Sequence, residues 1–64
     1  MIKINGLEID VSGQTLQDYL STTDYDPKHI AVEINQEIVS KKDYADTILK
    51  DGDVVEVVSF VGGG

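Results

Sequence analysis

The chain closes on Val54-Val55-Glu56-Val57-Val58-Ser59-Phe60-Val61-Gly62-Gly63-Gly64. The valines from Val54 to Val61 fall on both alternate sets of a strand. A strand apolar on both faces belongs in the middle of a sheet, and β-branched side chains suit the pleated surface better than a helix. Alternation places Val55, Val57 and Val61 on one side and Val54, Glu56, Val58 and Phe60 on the other. The three glycines that follow would weaken a strand and offer no side chain to pack. The expected division is therefore a domain over residues 1–61 and a flexible glycine tail over 62–64.

Outward from this strand, Asp51-Gly52-Asp53 has turn chemistry. At the other end of the chain, Ile2 and Ile4, then Leu7, Ile9 and Val11, recur at period two around Asn5-Gly6, a pair suited to a type I′ turn. This predicts a hairpin over roughly residues 1–11. Thr15 is a good N-cap, and Leu16, Tyr19 and Leu20 make one helical stripe. Ser21-Thr22-Thr23 and Asp26-Pro27 then limit that helix to about Thr15–Ser21. Ile30, Val32 and Ile34 read as a third strand and Ile38-Val39 as a short fourth after a turn at 35–37. Lys42-Asp43-Tyr44-Ala45 reads as a single helical turn, with Ile48 and Leu49 expected to be buried beyond it. Periodicity thus supports an α+β domain with one short helix and about five strands, and does not by itself place the strands.

Composition narrows the chemistry. The 64 residues include 12 acidic side chains against five lysines, with no arginine, for a net charge of −7. Such a surface repels phosphate backbones and anionic bilayers, so neither a nucleic acid nor a membrane is an expected partner. A basic docking face on another protein is the natural complement. Cysteine is absent, which removes disulfides, thiolate metal sites and a cysteine nucleophile. No stretch approaches the roughly 20 apolar residues of a membrane-spanning helix, and a cytoplasmic protein is the expectation. His29 is the single histidine and reads as a loop residue, and no serine lies in a nucleophile-elbow context. Asp51-Gly52-Asp53 lacks the spacing of a calcium loop, so no metal site is expected.

The glycines have two readings. They are a frayed end, or a tail whose lack of Cβ atoms lets it thread a narrow tunnel in another protein. Extended, three residues reach about 10 Å, enough to carry the Gly64 carboxylate away from the domain, with Gly62 and Gly63 as the threading segment. Val58 and Phe60 on the open side of the last strand are the expected docking residues. The other reading of Phe60 is a core cap beneath a loop.

Three stretches carry a family resemblance: Ala31-Val32-Glu33-Ile34-Asn35-Gln36-Glu37-Ile38-Val39, Asp51-Gly52-Asp53-Val54-Val55-Glu56-Val57-Val58, and Phe60-Val61-Gly62-Gly63-Gly64. With Gly13-Gln14-Thr15 before the helix, they resemble the ThiS family of sulfur carriers across essentially the whole chain. After Ile38-Val39 the family often has a proline and a basic residue, and this chain has Ser40-Lys41. The resemblance implies a β-grasp, ubiquitin-like arrangement: a mixed sheet of about five strands, the first and last parallel in the middle, with the short helix packed on one face.

The resemblance also implies that the chain is a co-substrate and not an enzyme. An E1-like (ThiF-like) adenylyltransferase would use ATP to activate the Gly64 carboxylate, the chain itself holding no cofactor. A cysteine desulfurase or other sulfur donor would then leave a thiocarboxylate, and a ThiG-like thiazole synthase would use that sulfur for the thiazole ring of thiamine. Two related alternatives share the adenylate step: a carrier like the small subunit of molybdopterin synthase, and a ubiquitin-like modifier joined to target lysines. A third is a noncovalent acidic binding module with an inert tail, which would keep its binding without Gly63 and Gly64.

Overall fold

In the computed structural model, which describes residues 1–60, a five-stranded sheet has the order β2-β1-β5-β3-β4. The strands are β1 (Ile2–Ile4), β2 (Leu7–Ile9), β3 (Ile30–Ile34), β4 (Glu37–Val39) and β5 (Val54–Ser59), with one helix, α1 (Leu16–Ser21). The last strand of the sequence is the central strand of the sheet. It runs parallel to β1, with Ile4 beside Val55, and antiparallel to β3 over five pairs from Ile34–Val55 to Ile30–Ser59. Val61 and the proposed tail, Gly62 to Gly64, lie outside the described residues.

The Asn5-Gly6 turn forms with both residues at positive φ, 49° and 84°, as a type I′ hairpin requires. Asn35-Gln36 makes the equivalent turn between β3 and β4, at φ 53° and 72°. It uses two residues, so β4 starts at Glu37, one position earlier than the alternation of Ile38-Val39 suggests.

Both turn asparagines also reach β5. Asn5 Oδ1 accepts from the Val57 amide at 2.8 Å and its Nδ2 donates to the Val57 carbonyl at 3.1 Å. From the other flank, Asn35 Oδ1 accepts from the Val54 amide at 3.0 Å. Side-chain amides mimic a strand's backbone, so Asn5 continues the β1 ladder past the point where the chain turns away.

The helix starts where expected. Thr15 Oγ1 accepts from the Asp18 amide at 3.0 Å. Two further amides of the first turn, which a helix leaves without internal partners, donate across the domain: Leu16 to the Thr47 carbonyl at 2.7 Å and Gln17 to that of Tyr44 at 3.0 Å. At the far end the hydroxyls of Ser21, Thr22 and Thr23 each donate to the carbonyl three residues back. Such bonds compete with helix continuation, which explains why α1 stops after six residues.

The core lies between α1 and one sheet face. Ile2, Ile4, Val32, Val55 and Val57 point into it from the strands; Leu16, Tyr19 and Leu20 from the helix; Tyr44 and Leu49 from the crossover. Leu7 and Ile48 lie outside, the second against the expectation of burial. Leu7 is 67% exposed, because α1 is only about 9 Å long and β2 is an edge strand beyond its cover. Ile48 is 54% exposed while Leu49 is buried. The segment is extended against Thr15, and adjacent side chains of an extended chain point to opposite sides. The helical turn of the crossover is a 3₁₀ turn at Lys41–Asp43, one residue early, and a second 3₁₀ turn at Pro27–His29 was not legible in the sequence.

Candidate functional site: the open face of the sheet and its exit

The face of β5 turned away from α1 has no covering layer among the described residues. Val54, Glu56 and Val58 lie on it, all exposed, and Phe60 follows at 49% exposure. Cross-strand register fills in the surface. Ala31 stands beside Val58, Glu33 beside Glu56, and Ile38 beside Glu33. Ala31 and Ile38 are both exposed. The result is an apolar surface, Val58 with Ala31 and the nearby Phe60, bordered by a pair of facing carboxylates.

Glu33 and Glu56 have no cationic partner among the described residues. Like charges directly opposite one another disfavour a sheet by a few tenths of a kcal/mol up to about 1 kcal/mol. A cation on an approaching surface would relieve that repulsion. The expected docking residues, Val58 and Phe60, are thus brought together on an accessible face. The threading glycines and Gly64 lie outside the described residues.

Phe60 leaves the sheet under guidance. Its amide donates to the His29 carbonyl at 2.9 Å, one step beyond the last strand pair. Its ring meets the His29 ring edge-on, with centroids 6.3 Å apart and planes at 75°. The ring is therefore neither buried as a core cap nor free.

His29, read from sequence as a surface loop residue, is half-buried and engaged. Nothing in the sequence around Asp26-Pro27-Lys28-His29 announces that contact, because His29 and Phe60 are 31 positions apart in the chain. The same holds for Asn5, whose turn role was legible and whose grip on Val57 was not.

Elsewhere polar groups serve the fold. Asp53 accepts from the Lys50 amide at 2.9 Å and from Asn35 Nδ2 at 3.0 Å, and Asp51 pairs with the Met1 amino group. The Asp51-Gly52-Asp53 segment is a turn whose carboxylates have protein partners. Lys41 Nζ donates to the Ile30 carbonyl at 3.1 Å, so the basic residue after β4 ties β3 to the crossover.

The helix side carries an open groove of about 450 Å³ lined by Gln17, Leu20, Tyr25, Tyr44 and Lys41. Among the described residues, Lys41 is the charged side chain that lines the groove. No helix among the described residues is long and apolar enough to cross a membrane.

Comparison with known families matches residues 2–64 to the ThiS family. The chain belongs to the ThiS family. A sulfur carrier protein ThiS from Bacillus subtilis is 39% identical over 66 residues, covering all of both chains. The crystal structure of thiamine biosynthesis protein ThiS from Geobacter metallireducens superposes with a TM-score of 0.79 at 30% identity, covering 98% of this chain and 97% of that one. The ThiS fold seen there is the one built above, and the β-grasp arrangement stands. A thiazole synthase from Paramagnetospirillum magneticum is 44% identical over 62 residues, which is 95% of this chain and 19% of that protein.

Proposed function

We propose that this ThiS-family sulfur carrier of thiamine biosynthesis takes its sulfur on the Gly64 carboxylate and delivers it to a thiazole synthase. The observation that carries the reading is the family match, which extends from residue 2 to Gly64. The Gly64 carboxylate attacks ATP on an E1-like adenylyltransferase, releasing pyrophosphate and forming an acyl adenylate. Sulfur supplied as a persulfide, from a cysteine desulfurase or an equivalent donor, displaces AMP; reduction by a thiol then leaves a terminal thiocarboxylate. ATP belongs to the partner's site, and the carrier contributes the reacting carboxylate and the surface that docks. These steps belong to the cytoplasm, where ATP and the partner enzymes meet the carrier.

The chain's own residues support this division of labour. With no cysteine in the sequence, the carrier offers no thiol for the sulfur, which agrees with the terminal carboxylate as the carrying group. Val58 and Phe60 offer an apolar contact close to where the tail begins, and exposed aromatics of this kind are common anchors. Glu33 and Glu56 favour a partner that presents a basic side chain beside its apolar contact. A ThiS-like stretch occupying part of a thiazole synthase chain supports a consuming enzyme of that class.

The reading is tested by removing Gly63 and Gly64. The shortened protein should keep the wild-type melting temperature and lose ATP–pyrophosphate exchange with the adenylyltransferase completely. Full exchange without the two glycines would refute the terminus as the reacting group. High-mass conjugates in place of a free thiocarboxylate would point to a modifier.

A further inference from the structure

We infer that Asp26 and His29 are positioning residues for the carrier's terminus: they hold Phe60 in the pose in which it docks. The inference rests on the reading of Gly64 as the adenylated group.

Phe60 sits at the exit of the central strand. The β3–β5 ladder ends at Ile30–Ser59, and the Phe60 amide adds one more bond, to the His29 carbonyl, at 2.9 Å. The Phe60 ring then packs edge-on against the His29 ring at 6.3 Å, within the range such pairs favour. One residue thus holds both the backbone and the side chain of Phe60.

His29 is itself fixed by Asp26, which makes three contacts with the turn that follows it. Asp26 Oδ1 accepts from the Lys28 amide at 3.0 Å, its backbone carbonyl accepts from the His29 amide at 2.8 Å, and its Oδ2 lies 3.2 Å from His29 Nδ1. Pro27 between them presets φ for the first position of the turn. The His29 imidazole is held from one side by a carboxylate and offers its other side to Phe60. A 3₁₀ turn of three residues has become a bracket for the place where the chain leaves the sheet.

A half-exposed phenylalanine at a strand exit otherwise samples several rotamers, and docking must then order it. Ordering one rotamer-rich side chain weakens association by about two- to tenfold. Loss of the bracket should therefore raise KM for the adenylyltransferase by that factor. The turnover number should change by less than about twofold, since the reacting carboxylate and ATP meet in the partner's site and an effect confined to KM marks lost binding.

The experiment measures ATP–pyrophosphate exchange on an E1-like adenylyltransferase with wild type, His29→Ala, Asp26→Asn, Phe60→Ala and the His29→Ala/Phe60→Ala double variant. Proton NMR is recorded on each carrier alone. His29→Ala should raise KM as stated with kcat held. Asp26→Asn keeps a cap on the Lys28 amide but removes the carboxylate beside the imidazole, and should give a smaller rise. In the Phe60→Ala background, His29→Ala should add nothing, because it acts through Phe60.

The wild-type spectrum should show a His29–Phe60 ring contact and a protected Phe60 amide. In His29→Ala the ring contact goes with the imidazole, whereas the Phe60 amide, which bonds the backbone carbonyl of residue 29, should stay protected and the core resonances should stay. An unchanged KM in a folded His29→Ala protein, or effects of the two substitutions that multiply, would overturn the positioning role. Absence of the ring contact in the wild-type spectrum would overturn the bracket whatever the kinetics. Absence of any exchange with wild type would overturn the reading of the terminus instead.

Discussion

Val55 and Val58 are three residues apart on the same strand and have opposite surroundings. Val55 is fully buried against α1, whereas Val58 is 58% exposed on the uncovered face. Alternation alone separates them, and the consequence is a division of roles along one strand. The side facing the helix specifies the fold. The opposite side is kept out of the core and leads, through Phe60, toward the glycines. One six-residue strand carries both sides.

That division is open to substitution. Val55→Ala removes two buried methyl groups beneath the helix and should cost about 2–3 kcal/mol, read as a lower denaturant midpoint at unchanged slope. For a domain this small that is a large fraction of total stability. An equal loss from Val58→Ala would mean the two faces are not distinct.

Asn5→Ala comes next. It leaves the Val57 amide without its acceptor and should cost about 1–2 kcal/mol. The loss should be visible as faster hydrogen exchange at Val57, and unaltered exchange there would remove Asn5 from the account of β5.

Val58→Ala and Phe60→Ala should each stay within about 0.5 kcal/mol of wild-type stability. Phe60→Ala should nevertheless slow adenylation about tenfold or more at subsaturating carrier, as removal of an interface anchor does. Wild-type kinetics in a folded Phe60→Ala protein would take Phe60 off the docking face.

The smallest effect is alkaline. Burial pushes the Tyr19 phenol above its ordinary value, with a further push from Tyr25, and burial does the same at Tyr44. A phenol whose folded-state pKa is raised contributes stability that is complete below the unfolded value, about 10, and is lost as pH rises through that value and beyond. Melting temperature should therefore fall above about pH 10, and Tyr44→Phe should flatten part of that fall. No change in slope with Tyr44→Phe would contradict a buried phenol on the covered face.

Much of this was legible in the sequence because it depends on near neighbours. The Asn5-Gly6 turn, the Thr15 cap, the stripe of Leu16, Tyr19 and Leu20, and the two faces of β5 all follow from residues within a few positions of one another. The placement of Val58 and Phe60 outside the core followed from the same alternation.

What could not be read depends on distant parts of the chain. Leu7 alternates with Ile9 and Val11, but whether it is covered depends on how far a six-residue helix reaches. Leu49 and Ile48 are equally apolar, and only the strand-like bridge to Thr15 decides which one turns inward. Asn5 gripping Val57, and His29 meeting Phe60, join residues far apart in sequence, with no local signature at either end.

The most direct test of the central claim is the intact mass of the carrier after incubation with ATP, a cysteine desulfurase system and an E1-like adenylyltransferase from the same cell. A terminal thiocarboxylate gives the mass shift of one oxygen replaced by sulfur, located by fragmentation at Gly64. An unmodified mass, with the adenylyltransferase shown to be active on another carrier, would contradict it.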